Sequence, residues 1–431
     1  MFHLAWFVSE GYSPAVWAQP WTGTTTPGNW ADPARFLDLA RSLERGCFDF
    51  LIFEDSSFVP DSFQGSAEFY LRNAMSVPKC DPMPLIPMLG GVTERLGLIA
   101  TVTTSFYPPF LAARLGATMD HLTRGRFGFN LVTAHHDRAA QNYGLSQHHE
   151  HDLRYKIAEE WIQVADGLWK SWEPGAVVAD LENGLFADHT KVHPIDFNGR
   201  FFRCRGPLNT PPGPQQRPVI CQAGGSPIGM AFAARHADVI IMVVRTVDAA
   251  KAFRGRISEL MKMCGRDPSS CKVLFLTSLV IGETEQDARD KRERMAAAAE
   301  RRIDYKLAVM SYLSGTDCAK LDLDAPLTEL KTNASRTALA TFLTNPDETL
   351  REALSMPGGP GLNFIGTTDR IASDLENTMQ EIGGDGFLLQ DLATRRSVSE
   401  IVDGLVPCLQ RRGVVRNAYE HALFRDNLLS F

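Results

Sequence analysis

No apolar run in the 431-residue chain approaches the ~20 residues that a membrane-spanning helix needs. The eight cysteines (Cys47, Cys80, Cys204, Cys221, Cys264, Cys271, Cys318, Cys408) include no C-x-x-C pair. They read as reduced and mostly buried, not as disulfides or a zinc cluster. Basic residues are outnumbered by acidic ones, 44 against 51, the net charge is -7, and no Lys/Arg stripe forms. That argues against a nucleic acid partner, because phosphate neutralisation dominates such affinities. After the first apolar run the chain reads Ser9-Glu10-Gly11-Tyr12, with no G-x-G-x-x-G, and no G-x-S-x-G elbow occurs. An open dinucleotide-binding sheet and a serine hydrolase are thereby disfavoured. The opening MFHLAWFV has neither a basic region nor a small-residue cleavage site, so a first strand and a cytoplasmic location are expected.

What is present is an ordinary globular composition, 44% hydrophobic and 22% charged, with apolar runs alternating with amphipathic stretches. Strands are expected at His3 to Val8, Asp49 to Asp55, Leu96 to Thr104, Phe127 to Val132, Pro218 to Gly224, Asp238 to Val244, Lys272 to Gly282 and Gly386 to Leu389, with helices between them. Such alternation forces a parallel sheet, and eight units point to an α/β fold of the TIM (β/α)8 barrel type. We expect one barrel domain over residues 1–431, with insertions at about 173–217 and 303–360 covering its carboxyl face and a C-terminal helical tail at 398–431.

The stretch from Met119 to Tyr155 gathers Asn, Thr, His and Tyr. Asn130 and Thr133 leave the fourth strand at its carboxyl end, where barrels bind ligands. His151 and Tyr155, four apart, share a face of the next helix's first turn. Gly224-Gly225-Ser226-Pro227 is a strand-to-helix turn, suited to a phosphate or simply a tight connection. Asp55 at the second strand's end and Thr101, Thr103 and Thr104 at the third's read either as structural or as pocket residues. His135, His136, His148, His149 and His151 fall mostly on a loop; a metal site needs rigid ligands, so none is expected, and His135 and His136 are expected to be solvated.

The segments MDHLTRGRFGFNLVTA, AQNYG and HDLRY resemble the LDHLxxGRxxWNxVTS, ARNFG and HxxRY motifs of the nitrilotriacetate monooxygenase and dibenzothiophene sulfone monooxygenase family, a branch of the bacterial luciferase-like flavin enzymes. SWEPGAVV, RGPLNTPPGPQ, RPVICQAGGSP and FAARHAD extend the resemblance and lean towards the dibenzothiophene sulfone branch. The resemblance implies a luciferase-like barrel that binds reduced FMN (FMNH2) through Asp55, Thr101, Asn130, His151, Tyr155, Gly225 and Ser226, with the phosphate at the Gly225-Ser226 turn. Glu54 replaces the small residue usual before that Asp. His151, Asn130 and Asp55 are the candidates for a catalytic role, and Trp6, Phe7, Trp17 and Phe58 for the substrate pocket.

The implied activity is that of a two-component monooxygenase: a separate NAD(P)H-dependent flavin reductase supplies reduced FMN, and O2 is used to oxidise an aromatic or heterocyclic substrate by C-heteroatom cleavage or ring opening. A homo-oligomer, dimer or tetramer, is expected. Other substrates, such as a halogenated aromatic, a flavin or an aminopolycarboxylate, stay open. So do a deazaflavin-dependent dehydrogenase on the same barrel and a non-catalytic flavin carrier.

Overall fold

The structure is a computed structural model and describes residues 1–14, 30–300, 302–326, 349–355, 361–391 and 393–431. Nine parallel strands are described: β1 (His3–Val8), β2 (Phe50–Phe53), β3 (Gly97–Thr103), β4 (Phe127–Val132), β5 (Val219–Ala223), β6 (Val239–Met242), β7 (Lys272–Ile281), β8 (Leu362–Gly366) and β9 (Gly386–Leu389). Eight of them close a barrel in the order β1-β2-β3-β4-β5-β6-β7-β9, with β9 pairing back onto β1. The eight expected runs supply these barrel strands. β8 was not expected; its five residues pair with the outer half of β7, from Thr277 against Leu362 to Ile281 against Gly366.

The surrounding helices are α1 (Ala34–Arg45), α2 (Leu85–Val92), α3 (Pro109–Leu122), α4 (His151–Trp169), α5 (Pro227–His236), α6 (Val247–Met263), α7 (Glu285–Glu300), α8 (Ile303–Ser314) and α9 (Thr368–Ile382). Asp32 accepts the Ala34 N–H at 2.8 Å and so starts α1. Pro87 falls in the first turn of α2, where its missing N–H costs no helical bond. None of the helices among the described residues is long and apolar enough to cross a membrane.

Strand alternation divides the core in two. Trp6, Leu51, Phe53, Leu98 and Ala100 face the helices, whereas Ala5, Phe50, Ile52, Ile99, Val239, Leu274 and Leu388 fill the barrel interior. Trp6 is therefore not a pocket residue as expected: it is fully buried, its ring 6.3 Å from that of Phe48. Its neighbour Phe7 has the opposite phase. Trp17, the other tryptophan expected at the pocket, lies outside the described residues.

The barrel floor is closed by the C-terminal segment, whose short helix (Phe424–Leu428) places Phe424 and Leu428 against the interior cluster. A Cβ on Gly97 would lie 2.5 Å from the Phe424 ring, so this seal requires a glycine in β3. Arg425 pairs with Asp238 at 2.6 Å, and Arg416 with Asp49 at 2.6 Å. Asp49 also bonds His3 at 2.9 Å. Burial alone would raise the Asp49 pKa, but His3 and Arg416 hold it below the ordinary carboxylate value.

The two insertions lie on opposite ends where they are described; residues 327–348 and 356–360 of the second lie outside the described residues. Residues 173–217 follow α4, which returns the chain to the amino face, so they cannot cover the carboxyl mouth as expected. They pack on the outside of α4, where Glu160 accepts the N–H groups of Arg200, Phe201 and Phe202. They finish at the floor, where Gln215 donates to Asp120 and to the Phe127 carbonyl at 2.6 and 2.9 Å. The excursion between β7 and α9, by contrast, leaves from a strand's carboxyl end. It carries α7, α8 and β8, and α8 has its own apolar cluster with Phe63, Tyr70 and Met75.

Replacing Phe424 by Ala should cost about 3–5 kcal/mol, the usual range for emptying a large aromatic site. Leu181→Ala, at a side chain 95% exposed, should stay within about 0.5 kcal/mol. Denaturant unfolding of the two variants measures both, and similar midpoints would show that the segment does not seal the barrel.

Candidate active site at the carboxyl mouth

The carboxyl ends of β1 to β6, the connections that follow β2 to β4, and α8 enclose a cavity of about 320 Å³. Phe7 enters from β1, Glu54, Asp55, Ser56 and Phe58 from beyond β2, Thr101 and Thr103 from β3, Asn130 and Val132 from β4, Ala223 from β5, Ile241 from β6 and Tyr312 from α8. Lys79 and Asp81, on the way to α2, complete one side. Of the residues expected from sequence, Phe7, Asp55, Phe58, Thr101 and Asn130 are thus brought together.

Asn130 is directly opposite Thr101 in the β3–β4 ladder. Its amide donates to the Thr101 hydroxyl at 2.9 Å, and that hydroxyl donates to the Phe53 carbonyl at 2.7 Å. This chain of bonds orients the Asn130 amide so that Oδ1, a buried acceptor, has no partner among the described residues. Buried acceptors are normally satisfied, so the atom is one a ligand donor would complete. The Gln222 Oε1 at the end of β5 is left in the same condition.

Asp55 is pushed up to about 7, first by burial and then by the neighbouring charge of Glu54. At neutral pH its carboxyl is divided between a proton-holding and an ionised form. Glu54 forms an ion pair with Lys79, whose ammonium also donates to the Ser56 hydroxyl at 3.1 Å. Burial would weaken that ammonium, but the Glu54 charge holds its pKa above the ordinary value. Sequence reasoning did not single out Lys79, Gln222 or Tyr312. None belongs to a spacing pattern, although Gln222 stands inside the Q-A-G turn that was noted.

His136 is enclosed, against the expectation of a solvated residue, because Phe58 and Tyr312 pack against its ring, and His135 is half-buried beside it, the two rings 4.1 Å apart. His136 is 8% exposed, and the Nε2 atoms of both rings are buried without a partner among the described residues. Burial holds His135 down at about 4, with Arg154 and His148 adding to the effect, and holds His136 well below its ordinary value. His148 accepts the His149 N–H at Nδ1, so its Nε2 carries the proton and donates to the Thr133 carbonyl at 3.0 Å.

A second group lies beside the cavity, where β5 runs into α5. Ser226 is the N-cap of α5 and accepts the Gly229 N–H at 3.2 Å. The Tyr155 hydroxyl faces this turn: a Cβ on Gly224 would come within 2.9 Å of it and a Cβ on Gly229 within 2.7 Å. Gln222 donates to the same hydroxyl at 3.4 Å. His151 packs its ring 5.3 Å from that of Tyr155 and is bonded to Asp152 at 2.8 Å. His151, Tyr155, Gly225 and Ser226 do not line the cavity. They adjoin it through the Ala223–Gly224 end of β5. The turn sets backbone N–H groups at the start of a ten-residue helix beside the Tyr155 and Ser226 hydroxyls and the Gln222 amide, which suits an anion.

The luciferase-like monooxygenase profile matches residues 14–386. The chain belongs to that family. It is 36% identical to the dimethyl-sulfide monooxygenase of Hyphomicrobium sulfonivorans, over 93% of this chain and 87% of that protein. It is 32% identical to a dibenzothiophene-sulfone monooxygenase of Rhodococcus erythropolis strain XP, over 99% and 96%. A solved riboflavin lyase, crystallised with modified FMN and riboflavin, superposes with a TM-score of 0.88 at 27% identity, over 100% of this chain and 96% of that one. The chain is accordingly a flavin-dependent monooxygenase of the luciferase-like type, and reduced flavin is the cofactor class its site must accept. The Asn130 and Gln222 acceptors, without partners among the described residues, and the glycine turn at Gly224 fit such a group, one part polar and planar and the other anionic.

Neutral imidazoles tie the stability of this luciferase-like monooxygenase to pH. A histidine whose folded pKa lies below 6.5 contributes stability that is present above 6.5 and lost as pH falls through the folded value. Asp55, raised from 3.8 to about 7, has the opposite sign: its contribution is present below 3.8 and lost as pH rises through about 7. Comparing wild type with His136→Phe in urea unfolding isolates one imidazole. The stability difference should move in favour of the variant as pH falls below 6.5, and a pH-independent difference would mean that His136 is not held neutral.

Proposed function

We propose that the chain is the oxygenase component of a two-component system, taking reduced FMN from a separate NAD(P)H-dependent flavin reductase and oxidising an aromatic or heterocyclic substrate with O2. The observation that carries this reading is the junction of a polar, aromatic-lined cavity with an anion-suited turn along one strand, β5. Gly225 and Ser226 would hold the phosphate through backbone N–H groups and the serine hydroxyl, with Tyr155 and His151 beside them. Asn130, Thr101 and Asp55 would face the flavin ring system. FMN fits this division better than riboflavin, which would leave the turn without an anion.

Bound reduced flavin supplies the electrons with which O2 is activated. The chain's own part is to position, to exclude water and to handle protons. Phe7, Phe58, Phe106, Tyr107 and Tyr143 supply the apolar lining that keeps water out. Asp55 is the titratable group of this site best placed to hold a proton near neutral pH, at its carboxyl oxygen. Asn130 orients, through its Thr101 bond, whatever completes Oδ1. His151, held by Asp152 outside the cavity, acts on the phosphate side and not on the substrate. The relatives named for dimethyl sulfide and dibenzothiophene sulfone support substrates with a C–S bond, and the aromatic lining favours the flat ones.

Ser226→Glu puts like charge at the turn and should weaken reduced FMN binding by about 10- to 100-fold, about 1.4 kcal/mol per factor of ten, while riboflavin affinity changes little. Equal affinity of the wild type for FMN and riboflavin in anaerobic titration would overturn the phosphate assignment. The purified chain given NADH and FMN alone should turn over negligibly, and an unrelated flavin reductase should restore activity. Rapid NADH oxidation by the chain alone would rule out the two-component scheme.

A further inference from the structure

One wall of the cavity carries polar groups that the flavin reading leaves unused. Glu54 is not a bare charge: Lys79 pairs with it, and the Tyr312 hydroxyl of α8 donates to its Oε1 at 3.4 Å. The Lys79 ammonium has three donors, of which Glu54 and Ser56 engage two. The side chains of Lys79 and Glu54 are 3% and 25% exposed, so the pair lies in a low-dielectric setting where an ion pair gains little for stability over an apolar substitute. His136 faces the same space with a buried, unpartnered Nε2. Its ring packs 4.5 Å from Phe58 and 5.1 Å from Tyr312. Phe58 and Tyr312 are themselves parallel to within 10°. The wall is thus aromatic and edged with both donors and acceptors.

Its charge is equally specific. Among the described residues, Glu54, Asp55 and Asp81 line the cavity against Lys79 alone, and Lys79 is already matched by Glu54. Among the described residues a polycarboxylate would find no unmatched cation there, since the two imidazoles are kept neutral, and it would meet carboxylates instead.

We propose that Glu54, Lys79, Tyr312 and His136 form a selecting wall that accepts an uncharged planar heterocycle through its N–H and C=O edge and turns polycarboxylates away. Glu54 accepts the ligand N–H, and the third Lys79 donor, unengaged among the described residues, and the His136 ring, with one donor and one acceptor, complete the edge. The inference rests on the reading of the cavity as the substrate site of an FMN-dependent oxygenase.

Anaerobic equilibrium dialysis of the chain saturated with reduced FMN tests it, using 2-quinolone, naphthalene and nitrilotriacetate as probes. 2-Quinolone, with a lactam edge, should bind about tenfold or more tightly than naphthalene, which has the shape without the edge, and nitrilotriacetate should be the weakest. His136→Phe keeps a ring and removes the nitrogens, and Glu54→Gln keeps the shape and removes the charge. Each should reduce the quinolone preference at least about threefold while leaving naphthalene binding unchanged. Equal binding of 2-quinolone and naphthalene, tightest binding of nitrilotriacetate, or an unchanged preference in folded variants would overturn the proposal. If neither variant folds, the wild-type panel decides alone. Failure of the FMN reading shows separately, as equal affinity for FMN and riboflavin, and repeating the panel without flavin tells whether the wall discriminates by itself.

Discussion

In a closed parallel barrel whose helices run back against the strands, a segment that follows a strand departs from the carboxyl face and a segment that follows a helix arrives at the amino face. This constraint assigns work to every irregular part of the chain. The excursion after β7 can reach the cavity, and α8 brings Tyr312 to it. The long segment after α4 cannot, and it spends its polar groups on Glu160 and Asp120 instead. The C-terminal segment arrives after the last strand and helix have been completed and lies under the barrel, where Phe424 fills the space that Gly97 leaves open.

The cavity works by leaving some bonds unmade. Most buried polar groups find partners within the protein, yet the Nε2 atoms of His135 and His136 and the Oδ1 of Asn130 do not find them among the described residues. In each case a neighbouring bond or packing contact fixes the group: Thr101 orients the amide, and Phe58 and Tyr312 hold His136. Low dielectric strengthens the interactions a ligand makes with such atoms and also shifts the ionisable ones, so Asp55 stays partly protonated and the imidazoles stay neutral. Preorganisation and altered protonation thus come from the same burial.

Much of the fold could be read from the chain because a barrel strand is buried on both faces, and a run such as LGLIATVTT shows this without help from the rest of the protein. Phase could not be read in the same way. Trp6 and Phe7 are adjacent aromatic residues in one strand, and only closure of the barrel decides that the first meets Phe48 and the second the cavity. The chemistry of the 119–155 stretch was legible as a cluster of residue types, and Asn130 and Thr101 do meet. The burial of His136 was not legible, since it depends on Phe58 and on Tyr312, the latter on a helix far along the chain. β8 escaped notice because its five residues are a strand only beside the extended end of β7. Lys79 belongs to no motif and acquires its meaning from Glu54.

The pairing of Asp49 with Arg416 joins residues 367 positions apart. On a ribosome, β1 and β2 emerge first, carrying a carboxylate that the finished protein buries completely. Its guanidinium partner emerges only when nearly all of the chain seen here has been made. Until then Asp49 has only His3 as a charged partner, and the open end of the barrel leaves the interior apolar residues unsealed. Translation of this chain therefore includes an interval in which most strands exist but the barrel has no floor, and in which its interior apolar surface is open to association with other chains.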